Sequence, residues 1–282
     1  MGCSSSPNLK MLESSPSSGA RSEQPRPAAQ QLAVINDAAG LRAALLALLV
    51  PVGSRRPALA WQVETAGNPQ APALRDEVND LPAVERLPWF EKLLVRMARQ
   101  PLIERQLLLE AARRVMRARG AAWPIDMLHW LLMRQRLGDQ GTLAAPAAAD
   151  VAFSQLPEDD VHAIARYSAF LARLVPSAII DRKGHAAWYA AVMATWQGRV
   201  PVPPCDPAPD GDALVQALRQ LQALPWLQRP MIVRAWVSAA LQHSSDRRMS
   251  LEAADALRMS CTLLDSPMPP ELAAHYIQGP PK

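Results

Sequence analysis

Apolar residues recur along most of this chain at the spacing of an amphipathic helix. Leucines between residues 41 and 49 form one such face, and Val84, Leu87, Phe90 and Leu94 form another. Spacings of three and four residues place side chains on one side of an α-helix. Ala and Leu dominate the composition while runs of β-branched residues are scarce, so there is little material for strands. The pattern predicts an all-α fold.

Proline, glycine and capping residues mark where the predicted helices begin and end. Pro101 opens a strong helix, Gly120 ends it and Pro124 opens the next, since proline suits the first helical position and glycine the left-handed turn after the last. Residues 53–70 are predicted to be a loop. Further helices are predicted from residue 36 or 37 to 50, over 73–80, 82–98, 158–171 and 183–196, from residues 212, 230 and 250 onward, and over 271–277.

The first thirty residues differ from the rest because they are rich in Ser, Pro, Gln and Arg and nearly free of apolar side chains. Such a segment cannot bury enough surface to offset the entropy lost on ordering. We therefore predict a disordered leader or tether over residues 1–32.

The start of this leader fits two schemes of lipid attachment. Gly2 fits the pattern for N-myristoylation, and a palmitoyl group on Cys3 would supply the second anchor that stable membrane attachment needs. Alternatively, Gly2 and Cys3 resemble the cleavage site and mature start of a bacterial lipoprotein without its signal segment. A third interpretation is an unmodified tail, because such short patterns recur by chance. The apolar run over residues 41–52 is too short to span a bilayer.

A proline-rich stretch over residues 200–207 interrupts the helical pattern. Prolines remove backbone donors and disfavour the α region in the residues before them, so this stretch cannot be helical. We predict a linker over 199–210 that joins a helical domain over 33–198 to a second helical unit over 211–282.

The charge pattern offers one candidate surface. The formal net charge is +4, and almost all of the positive charge is arginine. A cluster of arginines on the helix after Pro101 and in its turn is either a solvated face, as we favour, or a basic interaction face. Its members are Arg105, Arg113, Arg114, Arg117 and Arg119.

Residues capable of chemistry stand apart from one another. The chain has no His-Glu-x-x-His run, no glycine-rich phosphate loop and no nucleophile elbow. Cys205 lies in the proline-rich stretch and Cys261 on a predicted buried helix face, and neither has an evident activating base. Histidines and tryptophans are interpreted as surface or packing residues. We predict no catalytic residue, no cofactor and no metal. The histidines are His129, His162, His185, His243 and His275.

Two stretches look like degenerate copies of one helix-turn-helix unit, one from Pro101 to Asp126 and one from Pro230 to Glu252. Residues 257–270 resemble the end of the helical cytoplasmic region that follows the protease domain in some bacterial HtpX-like zinc metalloproteases. That region is similar to TerB-like units of tellurite resistance. The resemblance covers residues 80–140 and 211–270, and it does not include the protease domain.

The first copy departs from the TerB-like turn, which is Asp-Gly followed by a small capping residue and then Glu. Arg119 replaces the Asp, Gly120 and Pro124 keep the pattern, and Asp126 stands for the Glu. The resemblance implies a turn that binds a metal or a partner. A hard cation needs oxygen ligands, so Arg119 would repel it, and no metal is expected here. We also expect Arg119 to be exposed.

The second copy departs differently. Asp246 is kept, Arg247 replaces the Gly, and Ser250 keeps the cap. Ala253 falls where Glu is expected, although Glu252 lies beside it. The resemblance gives little support for a metal at this turn either.

These observations predict a non-enzymatic protein of two TerB-like helical bundles that acts as an interaction or regulatory module for an unidentified protein partner. We expect it to be cytoplasmic in a bacterium or attached to a membrane through a lipidated N terminus. One alternative is a lipidated bacterial effector that is secreted into host cells. A second alternative, which we disfavour, is a basic helical protein that binds nucleic acid through the arginine cluster.

Overall fold

The computed structural model describes residues 1–2, 29–120, 123–138, 152–175, 182–244 and 248–278. These residues form thirteen α-helices, two 3₁₀ turns and no strand, which confirms the predicted all-α class. The helices are α1 (Gln30–Val34), α2 (Ala38–Leu49), α3 (Arg55–Thr65), α4 (Ala71–Asn79), α5 (Ala83–Met97), α6 (Leu102–Arg117), α7 (Pro124–Leu137), α8 (Glu158–Leu171), α9 (Arg182–Met193), α10 (Gly211–Ala223), α11 (Gln228–Gln242), α12 (Leu251–Leu263) and α13 (Pro270–Gln278).

Helix α2 is the centre of the N-terminal half. Nearly all of its residues are buried, because it is built from Ala and Leu on every side and α3, α4, α5 and α6 pack around it. Of the two candidate caps, Asn36 and Asp37, the structure uses Asp37, whose carboxylate accepts a hydrogen bond from the backbone N–H of Gly40 at 2.7 Å.

Helix α3 lies where the sequence predicted a loop, so that prediction is wrong. Its buried side is marked only by Pro57, Trp61 and Thr65, a spacing of four residues that is too sparse to stand out in the sequence. The indole N–H of Trp61 donates to the carbonyl of Ala43 on α2 at 2.9 Å. Tertiary contacts of this kind stabilise a helix whose own apolar face is narrow.

The predicted leader extends too far into the folded protein. Helix α1 begins at Gln30, and Leu32 is completely buried. The carboxylate of Glu77 accepts hydrogen bonds from two N–H groups at the start of α1, and Arg96 donates to carbonyls at its end. Opposite charges at the two ends suit the helix dipole. Residues 3–28 of the predicted leader lie outside the described residues.

Aromatic residues organise the core of the C-terminal half, where α8 packs against α10 and α9 against α11. The ring of Tyr167 stacks on Trp236 with centroids 5.3 Å apart. The indole N–H of Trp236 donates to the Ser168 hydroxyl at 2.8 Å, and that of Trp188 donates to the carbonyl of Trp236 at 3.2 Å. These tryptophans pack helices, as predicted, and their polar atoms have partners.

The proline-rich segment between α9 and α10 is non-helical, as its prolines predicted. It lies against α8 and α9, because the carbonyl of Pro201 contacts the His162 ring at 2.9 Å and that of Pro203 accepts from the Tyr189 hydroxyl. Buried apolar residues from both sides of the segment belong to one contiguous cluster. The division into domains over 33–198 and 211–282 stays a prediction.

Several arginines donate hydrogen bonds to carbonyls at or next to helix ends. The last carbonyls of a helix have no partner within the helix, and the planar guanidinium can serve several of them at once. Several of the many arginines therefore stabilise helix ends and do not form a free basic surface. The pairs are Arg86 with Leu48, Val50 and Val78, Arg96 with Leu32, Ala33 and Ile35, Arg105 with Leu137, Arg199 with Leu156, and Arg229 with Leu224 and Leu264.

Candidate functional site

The structure confirms the helix end at Gly120 and the helix start at Pro124 that were predicted for the first unit. Gly120 follows α6 with φ of 93°, a left-handed conformation, and its N–H donates to the carbonyl of Arg117 at 3.0 Å. Helix α7 then begins at Pro124. A residue with a Cβ adopts this conformation only with strain.

Replacing Gly120 with alanine should lower the free energy of unfolding by about 1 kcal/mol, because the left-handed backbone disfavours any L side chain. Space is not the obstacle, since a Cβ at Gly120 would meet no atom within 4 Å. Urea denaturation measures the effect. Gly67→Ala is the matched control, since Gly67 is also in an exposed turn with free space but without a positive φ. Equal stability of the two variants would contradict the strain argument.

Arg119 is not the exposed residue that the sequence led us to expect. Its side chain is only 16% exposed, and its guanidinium donates to a carboxylate oxygen of Asp126, whose side chain is 12% exposed. The guanidinium carbon also lies 5.0 Å from the centre of the Trp123 ring. Arg119 is therefore an internal partner of the turn and not part of an open basic surface.

The second predicted unit meets the first at this point. Helix α12 packs against α7, and Ser250 caps α12 by accepting from the N–H of Ala253 at 3.1 Å. Burial raises the pKa of Glu252 at the start of α12, and the positive charge of Arg119 opposes that rise. The structure thus brings Arg119 and Asp126 of one turn near Glu252 of the other. Asp246 lies outside the described residues.

Further charged residues continue this contact along α12. Arg258 forms an ion pair with Glu91 of α5 at 2.8 Å, and the hydroxyl of Thr262 donates to the same carboxylate at 3.0 Å. On the other side, the Tyr276 hydroxyl of α13 donates to Asp255 at 2.7 Å. We call this set the polar seam. It comprises Glu91, Arg119, Asp126, Glu252, Asp255, Arg258, Thr262 and Tyr276.

Asp255 is the most perturbed carboxyl group of the polar seam. Burial, together with the nearby carboxylates of Glu91 and Glu252, raises the pKa of Asp255 to about 7, although the Tyr276 hydrogen bond and the Arg258 charge oppose the rise. Asp255 therefore titrates near neutral pH.

Stability should fall as the pH rises from about 4 to about 7, because the folded protein holds a proton on Asp255 that the unfolded chain has already released. Asp255→Asn keeps an oxygen for the Tyr276 hydroxyl but cannot ionise. At pH 8 this variant should be more stable than the wild type by on the order of 1 kcal/mol, and at pH 4 the two should be equal or the variant weaker.

Urea denaturation at several pH values measures this difference. Subtracting the wild-type profile from the variant profile cancels other groups, such as Glu252, that also titrate. A constant difference across the range would show that Asp255 ionises normally in the folded protein.

The Arg119–Asp126 pair opposes the binding of a metal ion at the first turn. The guanidinium lies against one carboxylate oxygen of Asp126 and neutralises its charge, so a cation gains little by binding there. In the described part of the chain, no group of three or more His, Cys, Asp or Glu side chains has an arrangement that could hold a metal ion.

The five predicted basic-face arginines do not form one surface. Arg105 donates to the Leu137 carbonyl at 3.3 Å, and Arg119 is internal. Arg113, Arg114 and Arg117 are exposed, but Arg113 lies over Trp130 at 4.4 Å and Arg114 pairs with Glu64 at 2.8 Å. Of the five, Arg117 alone has no partner within the described residues.

The thiols described by the structure are poor nucleophiles. Burial raises the pKa of Cys205 to about 11 and that of Cys261 to about 12, so both remain protonated at neutral pH. Of the two candidate lipidation sites, Gly2 is exposed and Cys3 lies outside the described residues.

Helix α11 presents a surface that the sequence analysis did not identify. Trp226 and Leu227, just before the helix, are 69% and 61% exposed, and Met231 is 46% exposed. The same side of α11 continues into an open groove of about 810 Å³. Its lining comprises Arg234, Val237, Ser238, Leu241 and Gln242 of α11 and Pro269, Pro270 and Glu271 at the start of α13.

The described helices include none that is both long enough and apolar enough to cross a bilayer. Comparisons of the chain with protein-family models, with curated proteins and with solved structures find no match. The similarity to TerB-like units therefore remains a resemblance carried by the residues themselves.

Proposed function

We propose that this protein is a non-enzymatic helical interaction module that binds a protein partner on the outer face of α11. The observation that carries the proposal is the run of exposed apolar side chains at Trp226, Leu227 and Met231, which leads directly into the groove beside α13. Large apolar side chains exposed together, next to a concavity, are typical of protein interaction sites.

The groove distinguishes this face from other exposed apolar residues. On α3, Leu59 and Val63 are 52% and 76% exposed and span a single turn, as Leu227 and Met231 do on α11. The α11 face differs because it continues through Arg234, Ser238 and Gln242 along the groove, over about four helical turns in all. Tryptophan is enriched among the residues that dominate binding energy, which suits Trp226 as an anchor.

The polar seam supports a structural role for the buried charges. The Arg258–Glu91 ion pair joins α12 to α5, which is distant in sequence, the Tyr276–Asp255 hydrogen bond joins α13 to α12, and the Arg119–Asp126 pair lies at the turn before α7. These contacts hold α12 in place, and α11 packs against α12. Such a frame is what an interaction module needs to present a rigid surface.

Site-specific photocrosslinking in cells tests the proposal. A photoreactive amino acid at Met231 should give a discrete adduct with another protein, because that side chain would be buried by the partner. Val63, an exposed apolar residue on α3, is the matched control position and should give no such adduct. Equal labelling from both positions, or no protein adduct from Met231, would overturn the proposal.

A further inference from the structure

We infer that the partner segment bound by α11 is an amphipathic helix that presents a carboxylate to Arg234. This inference rests on the proposed function and specifies its partner. It follows from the spacing of the exposed residues, from the backbone chemistry of the groove walls and from the distribution of charge.

The exposed residues form a straight stripe. Leu227, Met231, Arg234, Ser238 and Gln242 follow one another at spacings of three or four residues, so they share one side of α11. At about 1.5 Å per residue, the stripe is about 22 Å long. A partner helix of four turns lying along α11 would cover all of it.

The groove walls favour a helix over an extended strand. The backbone groups of α11 are bonded within the helix, and the opposite wall contains Pro269 and Pro270, which have no N–H to donate. An extended peptide would therefore find no strand to pair with on α11 and no N–H donor at the two prolines. A helix satisfies its own backbone and needs only side-chain contacts, with apolar groups inserted against Val237 and Leu241.

The charges around the groove predict a negative charge on the partner helix. Arg234 is exposed, and no carboxylate of the described residues lies within 4.0 Å of it. Helix α11 itself contains no Asp or Glu. Glu271 stands on the opposite wall of the groove. A partner carboxylate would pair with Arg234 in a partly dehydrated site, where guanidinium and carboxylate bind most strongly.

Two other occupants fit these observations less well. A second copy that paired α11 with α11 would bring no carboxylate to Arg234 from that helix, so Glu271 of the groove wall would have to supply it, and sedimentation tests this occupant. A bilayer is flat on this scale and would leave a groove of about 810 Å³ unfilled. A protein helix can carry a carboxylate for Arg234 and can also fill the groove with its side chains.

A display library of helical peptides about eighteen residues long, selected on the full chain, tests the inference. Selected peptides should share apolar residues at helical spacing together with an Asp or Glu, and fluorescence anisotropy would measure their affinity. Arg234→Glu should weaken binding at least tenfold, and Leu227→Ala should weaken it as well. Changing the acidic residue of the peptide to Lys should restore binding to Arg234→Glu. Arg56→Glu, an exposed arginine on α3, is the control and should have no effect.

Three outcomes would overturn the inference. The first is a selection that yields no binding peptide, or one whose peptides bind Arg234→Glu as tightly as the wild type. The second is an Arg234-dependent dimer in sedimentation. The third is binding to phosphatidylcholine–phosphatidylglycerol vesicles that Met231→Asp abolishes. If Met231 still crosslinks to a protein in cells while the peptides ignore Arg234, this inference fails and the proposed function stands. Absence of that protein crosslink overturns the proposed function and the inference with it.

Discussion

Replacing Arg119 with methionine should lower the free energy of unfolding by about 3 kcal/mol. The substitution would leave the carboxylate of Asp126 largely buried, with its side chain 12% exposed, and without its ion-pair partner. The second carboxylate oxygen of Asp126 has no hydrogen-bond partner among the described residues, so it cannot compensate. A buried charge without a partner is far more costly than a missing contact between neutral groups.

A double-mutant cycle separates this cost from the loss of packing. Asp126→Leu combined with Arg119→Met removes both charges and should recover stability to within about 1 kcal/mol of the wild type, because an apolar pair of similar size fills the same space. Arg117→Met, at the exposed end of α6 just before the turn, is the control and should change stability by less than about 0.5 kcal/mol. If Arg119→Met were as mild as Arg117→Met, Arg119 would be at the surface in solution.

The Arg119–Asp126 pair bears on the resemblance to TerB-like units, which stays a prediction. That resemblance implies carboxylates at the turn that suit a cation or a partner. Here the guanidinium provides the positive charge that Asp126 needs, and it does so within the chain. The carboxylate of Asp126 is therefore paired within the fold.

Local rules predicted the helices well where the signal is carried by neighbouring residues. Asp37 and Ser250 cap helices, Gly120 ends one and Pro124 begins the next, each as expected from side-chain chemistry within a few residues. Helix α3 was missed because its stability depends on Trp61, whose partner Ala43 lies on another helix. A contact between distant residues leaves no local pattern.

The candidate site was harder to predict for a related reason. The start of α11 is apolar on the exposed side, at Leu227 and Met231, while the polar residues Gln228 and Arg229 are buried there. Periodicity cannot tell which side of a helix faces solvent where apolar residues are exposed and polar residues are buried. Only the positions of the neighbouring helices show which side is open.

Arginine was misleading in the same way. A cluster in the sequence suggested a basic surface, yet Arg105 and Arg119 point into the protein and others reach distant helix ends. Which acceptor a long side chain reaches depends on the fold. The sequence shows only that many positive charges are present.

Arg86 should make the largest contribution among the arginines that cap helix ends. It extends from α5 and donates to the carbonyls of Val78 at 2.9 Å, Val50 at 3.3 Å and Leu48 at 3.4 Å, near the ends of α4 and α2. Helix α2 is the centre of the N-terminal half, so loosening its end should affect every helix packed on it.

Arg86→Met should lower the free energy of unfolding by about 2 to 3 kcal/mol, because three partly buried carbonyls lose their donor while the packing of the stem is kept. The stability of Arg86→Lys should lie between that of Arg86→Met and that of the wild type, since a compact ammonium group cannot span three acceptors as the planar guanidinium does. Urea denaturation measures both, with Arg56→Met on exposed α3 as the neutral control. If Arg86→Lys matched the wild type, charge alone would account for the contribution of Arg86. If Arg86→Lys lost as much stability as Arg86→Met, the geometry of the planar guanidinium would account for the whole contribution of Arg86.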